Sequence, residues 1–198
     1  AIVQANLKAG EPVTEAGLER PILLLRDLRG FDATAEVLPG AHPGEADIVV
    51  VVKPPGGPYG ALLGIDNHGP RAAGQVRAYA ELEANNLAGY GDLLSARVQL
   101  SDDSGNRLYR IGYSAAIGGH ATRLGLQVAR AEYALGKQFA PLGATGDAQV
   151  LSVSATHPFI RTRRQNLFGS IAGRAAAVTV DELAAPFAAP RSVPSGWD

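Results

Sequence analysis

Hydrophobic and polar residues alternate with a period of two over most of the chain beyond residue 58. The clearest segment is 72–84. Val76, Ala78, Ala80 and Leu82 fall on one side of it, with Gln75, Arg77, Tyr79, Glu81 and Glu83 on the other. Leu94, Ala96, Val98 and Leu100 alternate in the same way with Ser95, Arg97, Gln99 and Ser101. Tyr109, Ile111, Tyr113 and Ile117 alternate with Arg110, Gly112 and Ser114, and Leu124, Leu126 and Val128 with Arg123, Gly125 and Gln127. Segments 59–65, 148–157 and 166–180 complete the set. Turn-forming runs separate them: Asp66-Asn67-His68-Gly69-Pro70, Asp102-Asp103-Ser104-Gly105-Asn106 and Gly118-Gly119. The pattern predicts an antiparallel meander of about seven strands, paired in chain order and not closed on itself.

The first 53 residues read differently. Thr14 can cap a helix running to about Arg29, which Gly30 ends. Leu18, Ile22, Leu25 and Leu28 recur at helical spacing, and Pro21 inside the run predicts a kink or a later start. Residues 31–38 and 46–53 read as two strands around the turn Pro39-Gly40-Ala41-His42-Pro43-Gly44. This is a small α+β unit, residues 1–53. Lys53-Pro54-Pro55-Gly56-Gly57-Pro58 breaks the chain and makes 54–58 a linker. The sheet then occupies 59–180. The tail 181–198, with Pro186, Pro190 and Pro194, does not continue the pattern.

A sheet with one apolar and one polar face has two homes. In a soluble sandwich or barrel the apolar face points inward. In an outer-membrane barrel it points to lipid, and the polar face lines a wet lumen. Segments of ten or so residues suit a tilted spanning strand. Charges such as Arg77, Glu81, Arg97, Arg110 and Arg123 stand at mid-strand on the polar face. Periodicity alone leaves both homes open.

Composition narrows the function classes. The chain has 198 residues, 46% of them hydrophobic, and a formal net charge of -1. The apolar share argues against disorder, and the absence of a basic excess argues against a nucleic-acid partner. Cys is 0, so disulfides and thiolate metal sites are excluded. No run approaches the length of a spanning helix; 48–52 is typical of the longest. Met is 0, which predicts a processed product or a fragment, and no signal peptide is visible in the first ten residues.

Candidate chemistry is sparse. His42, His68, His120 and His157 each sit alone in or beside a turn, and solvation explains them better than metal binding. Gly89-Tyr90-Gly91-Asp92 hints at a phosphate loop, but no third glycine and no helix follow. Asp102-Asp103 reads as a solvated hairpin tip rather than a cation site. Arg161, Arg163 and Arg164 form a solvated turn or, as the lesser reading, a contact for anionic lipid head groups. No catalytic set emerges; an enzyme ranks behind a soluble β-sheet binding module.

Several stretches together resemble the haemolysin secretion/activation family, the outer-membrane transporters of two-partner secretion. Leu23-Leu24-Leu25-Arg26-Asp27-Leu28-Arg29-Gly30-Phe31, Leu38-Pro39-Gly40 and Pro43-Gly44-Glu45-Ala46-Asp47-Ile48-Val49-Val50 resemble the end of the POTRA domain that precedes the barrel. Gly64-Ile65-Asp66-Asn67-His68-Gly69 and Asn86-Leu87-Ala88-Gly89-Tyr90-Gly91-Asp92 resemble the first barrel hairpin and its turn. Tyr109-Arg110-Ile111-Gly112-Tyr113-Ser114, Arg123-Leu124-Gly125-Leu126, Tyr133-Ala134-Leu135-Gly136 and His157-Pro158-Phe159-Ile160-Arg161 continue in order. The resemblance implies a mainly β fold: an antiparallel meander forming part of a transmembrane β-barrel, preceded by a truncated α+β POTRA unit lacking its first strand and helix. It implies an outer-membrane location with the POTRA unit in the periplasm. It also implies a secreted exoprotein as client, a lipid bilayer as partner, and no cofactor. The family's Val-Arg-Gly-Phe-type motif has no match here. On this reading the edge of 31–38, carrying Phe31, Ala33, Ala35 and Val37, is the client-binding candidate by strand addition. Arg77, Glu81, Glu83, Arg97, Arg110 and Arg123 are the lumen-lining candidates.

Overall fold

The computed structural model describes residues 1–8, 10–29, 31–53, 57–71, 73–102, 105–134, 136 and 143–181. The N-terminal unit holds α1 (Ile2–Asn6), α2 (Glu15–Arg26), β1 (Asp32–Pro39) and β2 (Ala46–Lys53). Thr14 caps α2 as its position predicts: its side chain accepts from Gly17 N at 3.1 Å, satisfying one donor of the first turn. The helix runs through Pro21 and ends at Arg26, three residues before the predicted stop. Asp27 N and Leu28 N still bond back to Leu23 O and Leu25 O, which winds up the last turn. Pro21 and Leu24 are fully buried, and Ala33 of β1 is buried with them. The predicted stripe Leu18, Ile22, Leu25 and Leu28 is only half-buried. The short α1 was not expected; five residues are too few for a helical period to show. β1 and β2 pair antiparallel from Asp32 opposite Lys53 to Pro39 opposite Ala46.

Among the described residues the second sheet has seven strands: β3 (Tyr59–Asp66), β4 (Arg77–Asn85), β5 (Leu93–Ser101), β6 (Asn106–Ile117), β7 (Thr122–Ala134), β8 (Thr145–Arg161) and β9 (Asn166–Asp181). They pair antiparallel in chain order, and among the described residues β3 and β9 are the two edges and do not pair with each other, so the sheet they form is open. β4 begins at Arg77, five residues later than the alternation predicts. Gly69 N bonds Gln75 O there, and the chain is still turning. Segment 148–157 was underestimated: β8 spans 17 residues, with a bulge between Pro158 and Ile160 that lets a proline sit in the ladder. The expected linker positions 54–56 and the tail from 182 lie outside the described residues, as does most of the connection between β7 and β8.

Register sorts the side chains onto two faces. Leu63, Ala80, Val98, Tyr109 and their neighbours share one face, since opposed residues in an antiparallel ladder point the same way. Ile111, Val128, Leu151 and Ala175 continue it across β6 to β9. This apolar face has no covering layer among the described residues: Leu63 is 79% exposed, Ile65 76% and Ile171 75%. The other face carries Arg77, Tyr79, Glu81, Arg97 and Gln127. Two aromatic–glycine pairs stitch this face. A Cβ on Gly64 would strike the ring of Tyr79 opposite, and one on Gly146 the ring of Tyr133 opposite.

Candidate functional site

All six lumen-lining candidates lie on the polar face, but they divide into groups. Arg77 Nη2 pairs with Asp66 Oδ1 at 2.8 Å, at the end of the sheet away from the N-terminal unit. Arg97 forms the centre: it pairs with Glu81 at 3.2 Å, donates to Gln99 Oε1 at 3.1 Å and lies 4.4 Å above the Tyr79 ring. Arg110 stands directly opposite Arg97 across the β5–β6 ladder, which concentrates positive charge on mid-face. Glu83 stands opposite Ser95 and Gly60. Arg123 is at the other end. It reaches out of the sheet to Gly91 O (3.5 Å) and Asp27 O (3.4 Å), so it belongs to the rim facing the N-terminal unit.

The candidate client edge is placed with one correction. Phe31 precedes β1 and is half-buried, Ala33 is fully buried, Ala35 is half-buried and Val37 is 53% exposed. Arg26 Nε donates to Ala33 O at 2.8 Å, from the side of the strand away from β2. By the two-residue period, Ala35 and Val37 point their backbone groups to that same outer edge. The Ala33 carbonyl is already taken, so the open edge begins at Ala35. A groove of 300 Å³ runs beside it between α2 and β1, lined by Leu18, Glu19, Ile22, Thr34, Ala35 and, from the other sheet, Arg163.

Three turns of the seven-stranded sheet meet the N-terminal unit at one rim. The first, residues 86–92, is built around Asp92, which is fully buried. Burial pushes its carboxyl up, but the N–H groups of Ala88 and Tyr90 and the Tyr113 hydroxyl donate to it and hold it below the ordinary carboxylate range. Gly91 N donates to Asn86 Oδ1 at 3.0 Å. These donors are spent inside the turn, which explains physically why the Gly-Tyr-Gly run is no phosphate loop. A Cβ on Gly91, which sits at φ +63°, would strike Leu28 beyond the end of α2. The second turn receives α1: Asn6 Nδ2 donates to Gly119 O at 2.9 Å.

The third turn, between β8 and β9, corrects the reading of the arginine cluster. Arg161 forks onto Asp27, Nε to Oδ2 at 2.6 Å and Nη2 to Oδ1 at 2.7 Å. Arg163 N donates to Glu19 Oε1 at 2.7 Å, and its guanidinium lies 3.6 Å from Glu19 and 3.9 Å from Glu15. In return, Arg20 donates to Phe159 O (3.0 Å) and Pro158 O (2.9 Å). Arg161 is therefore drawn out of solvent toward Asp27, whereas Arg163, though paired with α2, stays 74% exposed and Arg164 is exposed, as a solvated turn predicts. The signal is present as Glu15, Glu19 and Arg20 on one helix and Asp27 at its end, but nothing in a single sequence tells which distant turn they meet. His157 is a further correction: it lies in β8, 2.7 Å from Thr122 Oγ1 and edge-on to Phe159, not in a solvated turn. Among the described residues no group of three or more His, Cys, Asp or Glu could hold a metal ion.

Comparison with known proteins bears on this arrangement. The heme/hemopexin transporter protein HuxB of Haemophilus influenzae is 30% identical over 157 residues, 79% of this chain and 28% of its own length. The outer membrane transporter CdiB-2 of Burkholderia pseudomallei is 33% identical over 81 residues, 41% of this chain and 13% of its own. The chain thus spans little more than a quarter of the HuxB relative. Among solved structures, CdiB from Escherichia coli superposes with a TM-score of 0.70 at 20% identity, covering 91% of this chain and 35% of that one. CdiB from Acinetobacter baumannii superposes at 0.66, 18% identity, covering 92% and 37%. These two show a shared fold: antiparallel strands following the course of a barrel wall, here without closure. Residues 44–175 match the family described as haemolysin secretion/activation protein ShlB/FhaC/HecB. The chain belongs to that family of two-partner secretion transporters.

Proposed function

We propose that this chain forms the junction of an outer-membrane transporter. It comprises the last part of a periplasmic POTRA domain, the linker and the first seven strands of the barrel. The transporter recognises an unfolded exoprotein, such as a haemolysin or adhesin, and passes it outward through the barrel. The apolar face lies against lipid, and the face carrying Arg77, Glu81, Glu83, Arg97 and Arg110 lines the lumen. The open edge of β1 from Ala35 to Val37 offers backbone groups to an extended client segment, with the α2 groove taking alternate side chains.

The observation that carries this reading is the uncovered apolar face. Leu63 at 79% and Ile65 at 76% exposure suit lipid as solvent and would be costly in water. A soluble binding module would need a second layer over this face. The test is secretion of the cognate exoprotein by cells carrying the full-length transporter. Val37→Pro removes a donor from the open edge of β1 and should abolish secretion while leaving the barrel assembled in the outer membrane. Undiminished secretion would overturn the assignment of the edge.

A further inference from the structure

The bonds between α2 and the β8–β9 turn do more than fill an interface. They come from Glu19 and Arg20 of the helix and from Asp27 at its C-cap, and they end on the last residues of β8 and the start of the turn. Arg20 takes the carbonyls of Pro158 and Phe159, Asp27 takes Arg161, and Glu19 takes Arg163 N. Asp27 is the most engaged. Its carboxylate receives both arms of Arg161, its backbone carbonyl receives Arg123 Nη2, and Arg161 is further held by Asn166 Oδ1 at 2.9 Å. The Arg161 side chain is only 19% exposed. Forked guanidinium–carboxylate pairs fix direction as well as distance, which a single point contact does not. The same turn supplies Arg163 to the groove beside β1.

We infer that Asp27 and Arg161 are a positioning pair that holds the N-terminal unit on the rim of the sheet in one orientation, with the β1 groove set against the β8–β9 turn. The inference rests on the transporter reading for its purpose, but the positioning itself does not. Breaking the pair leaves both folded parts intact and frees the N-terminal unit to change its orientation on the rim. A client strand added to β1 would then no longer be delivered to a fixed point on the rim.

The test uses the full-length transporter in outer-membrane vesicles, spin-labelled at Glu36 on β1 and at Arg164 in the turn, both exposed. The parent should give one narrow distance distribution. Asp27→Asn and Arg161→Gln, each nearly isosteric, should lose that single peak. The charge swap Asp27→Arg with Arg161→Asp should recover it. Secretion, measured in parallel, should fall in the single variants and return in the swap. Narrow distributions in both single variants would overturn the pair as a positioning device, whatever secretion does. Broadened distributions with unchanged secretion would uphold the positioning and overturn its role in delivery. A swap that stays broad would show that the local fold, not the pair, sets the orientation, and would also overturn the proposal.

Discussion

At the scale of single residues, two side chains show how closely the rim is built. Asp92 has no exposure and satisfies Ala88 N and Tyr90 N. Replacing it with Ala would strand these donors, at about 1–3 kcal/mol for a buried unsatisfied group. Because its carboxyl is held below the ordinary value, its contribution is full at neutral pH, begins to fall once pH drops below that ordinary value of 3.8, and is lost as pH falls through the lowered one. Asp92→Asn should therefore narrow the difference in unfolding midpoint between pH 7 and pH 3 relative to the parent, as read by thermal melts. The aromatic–glycine pairs set a second residue-scale expectation. Gly64→Val drives a branched side chain into the Tyr79 ring, whereas Gly173→Val meets open space. Heat-modifiable electrophoretic mobility should report failed assembly for the first and normal assembly for the second.

At the scale of elements, α2 and β7 make opposite demands of their surroundings. α2 packs on β1, and Leu24 is fully buried there, so Leu24→Ala should cost about 2–5 kcal/mol of the N-terminal unit's stability. Limited proteolysis should then cut the first 53 residues and spare the sheet. In β7, Leu126 lies on the apolar face and Gln127 on the polar one. Leu126→Arg should cost about 2–4 kcal/mol near the middle of a bilayer, while Gln127→Arg should fold as the parent does, by urea titration in vesicles. Element identity was legible because it rests on short-range periodicity: Leu124, Leu126 and Val128 announce a strand by themselves, and Thr14 announces a helix start. Element ends were less so. Arg130 and Glu132 break the apolar alternation of β7, yet the strand continues to Ala134 because Asp147 of β8 pairs with Arg130 across the ladder at 2.7 Å, while Glu132 pairs with Arg130 along the same strand at 3.1 Å. That continuation depends on a partner strand, which no local pattern contains.

At the scale of the whole molecule, the decisive contacts join residues far apart in the chain. Asp27 to Arg161, Asn6 to Gly119 and Arg123 to Asp27 were invisible in the sequence for that reason. The open meander itself was legible, since short turns join neighbours and leave little choice of order. The three turns 86–92, 118–121 and 162–165 share the rim beside the N-terminal unit, so the opposite connections share the other rim. If the N-terminal unit is periplasmic, a protease site inserted near Gly143 of the full-length transporter should be cut on intact cells. One near Gly119 should be cut only after the outer membrane is opened.

The central claim is that one face of this sheet meets lipid and the other does not. The most direct measurement is a fluorophore placed at each position of β7 in turn, in the full-length transporter in vesicles, with quenching by lipids carrying a quencher on their acyl chains. Quenching should be strong at Leu124, Leu126 and Val128, weak at Arg123, Gly125 and Gln127, and should fade at Arg130 and Glu132 where the apolar band ends. Uniform quenching along the strand, or quenching strongest on the Gln127 side, would contradict the account.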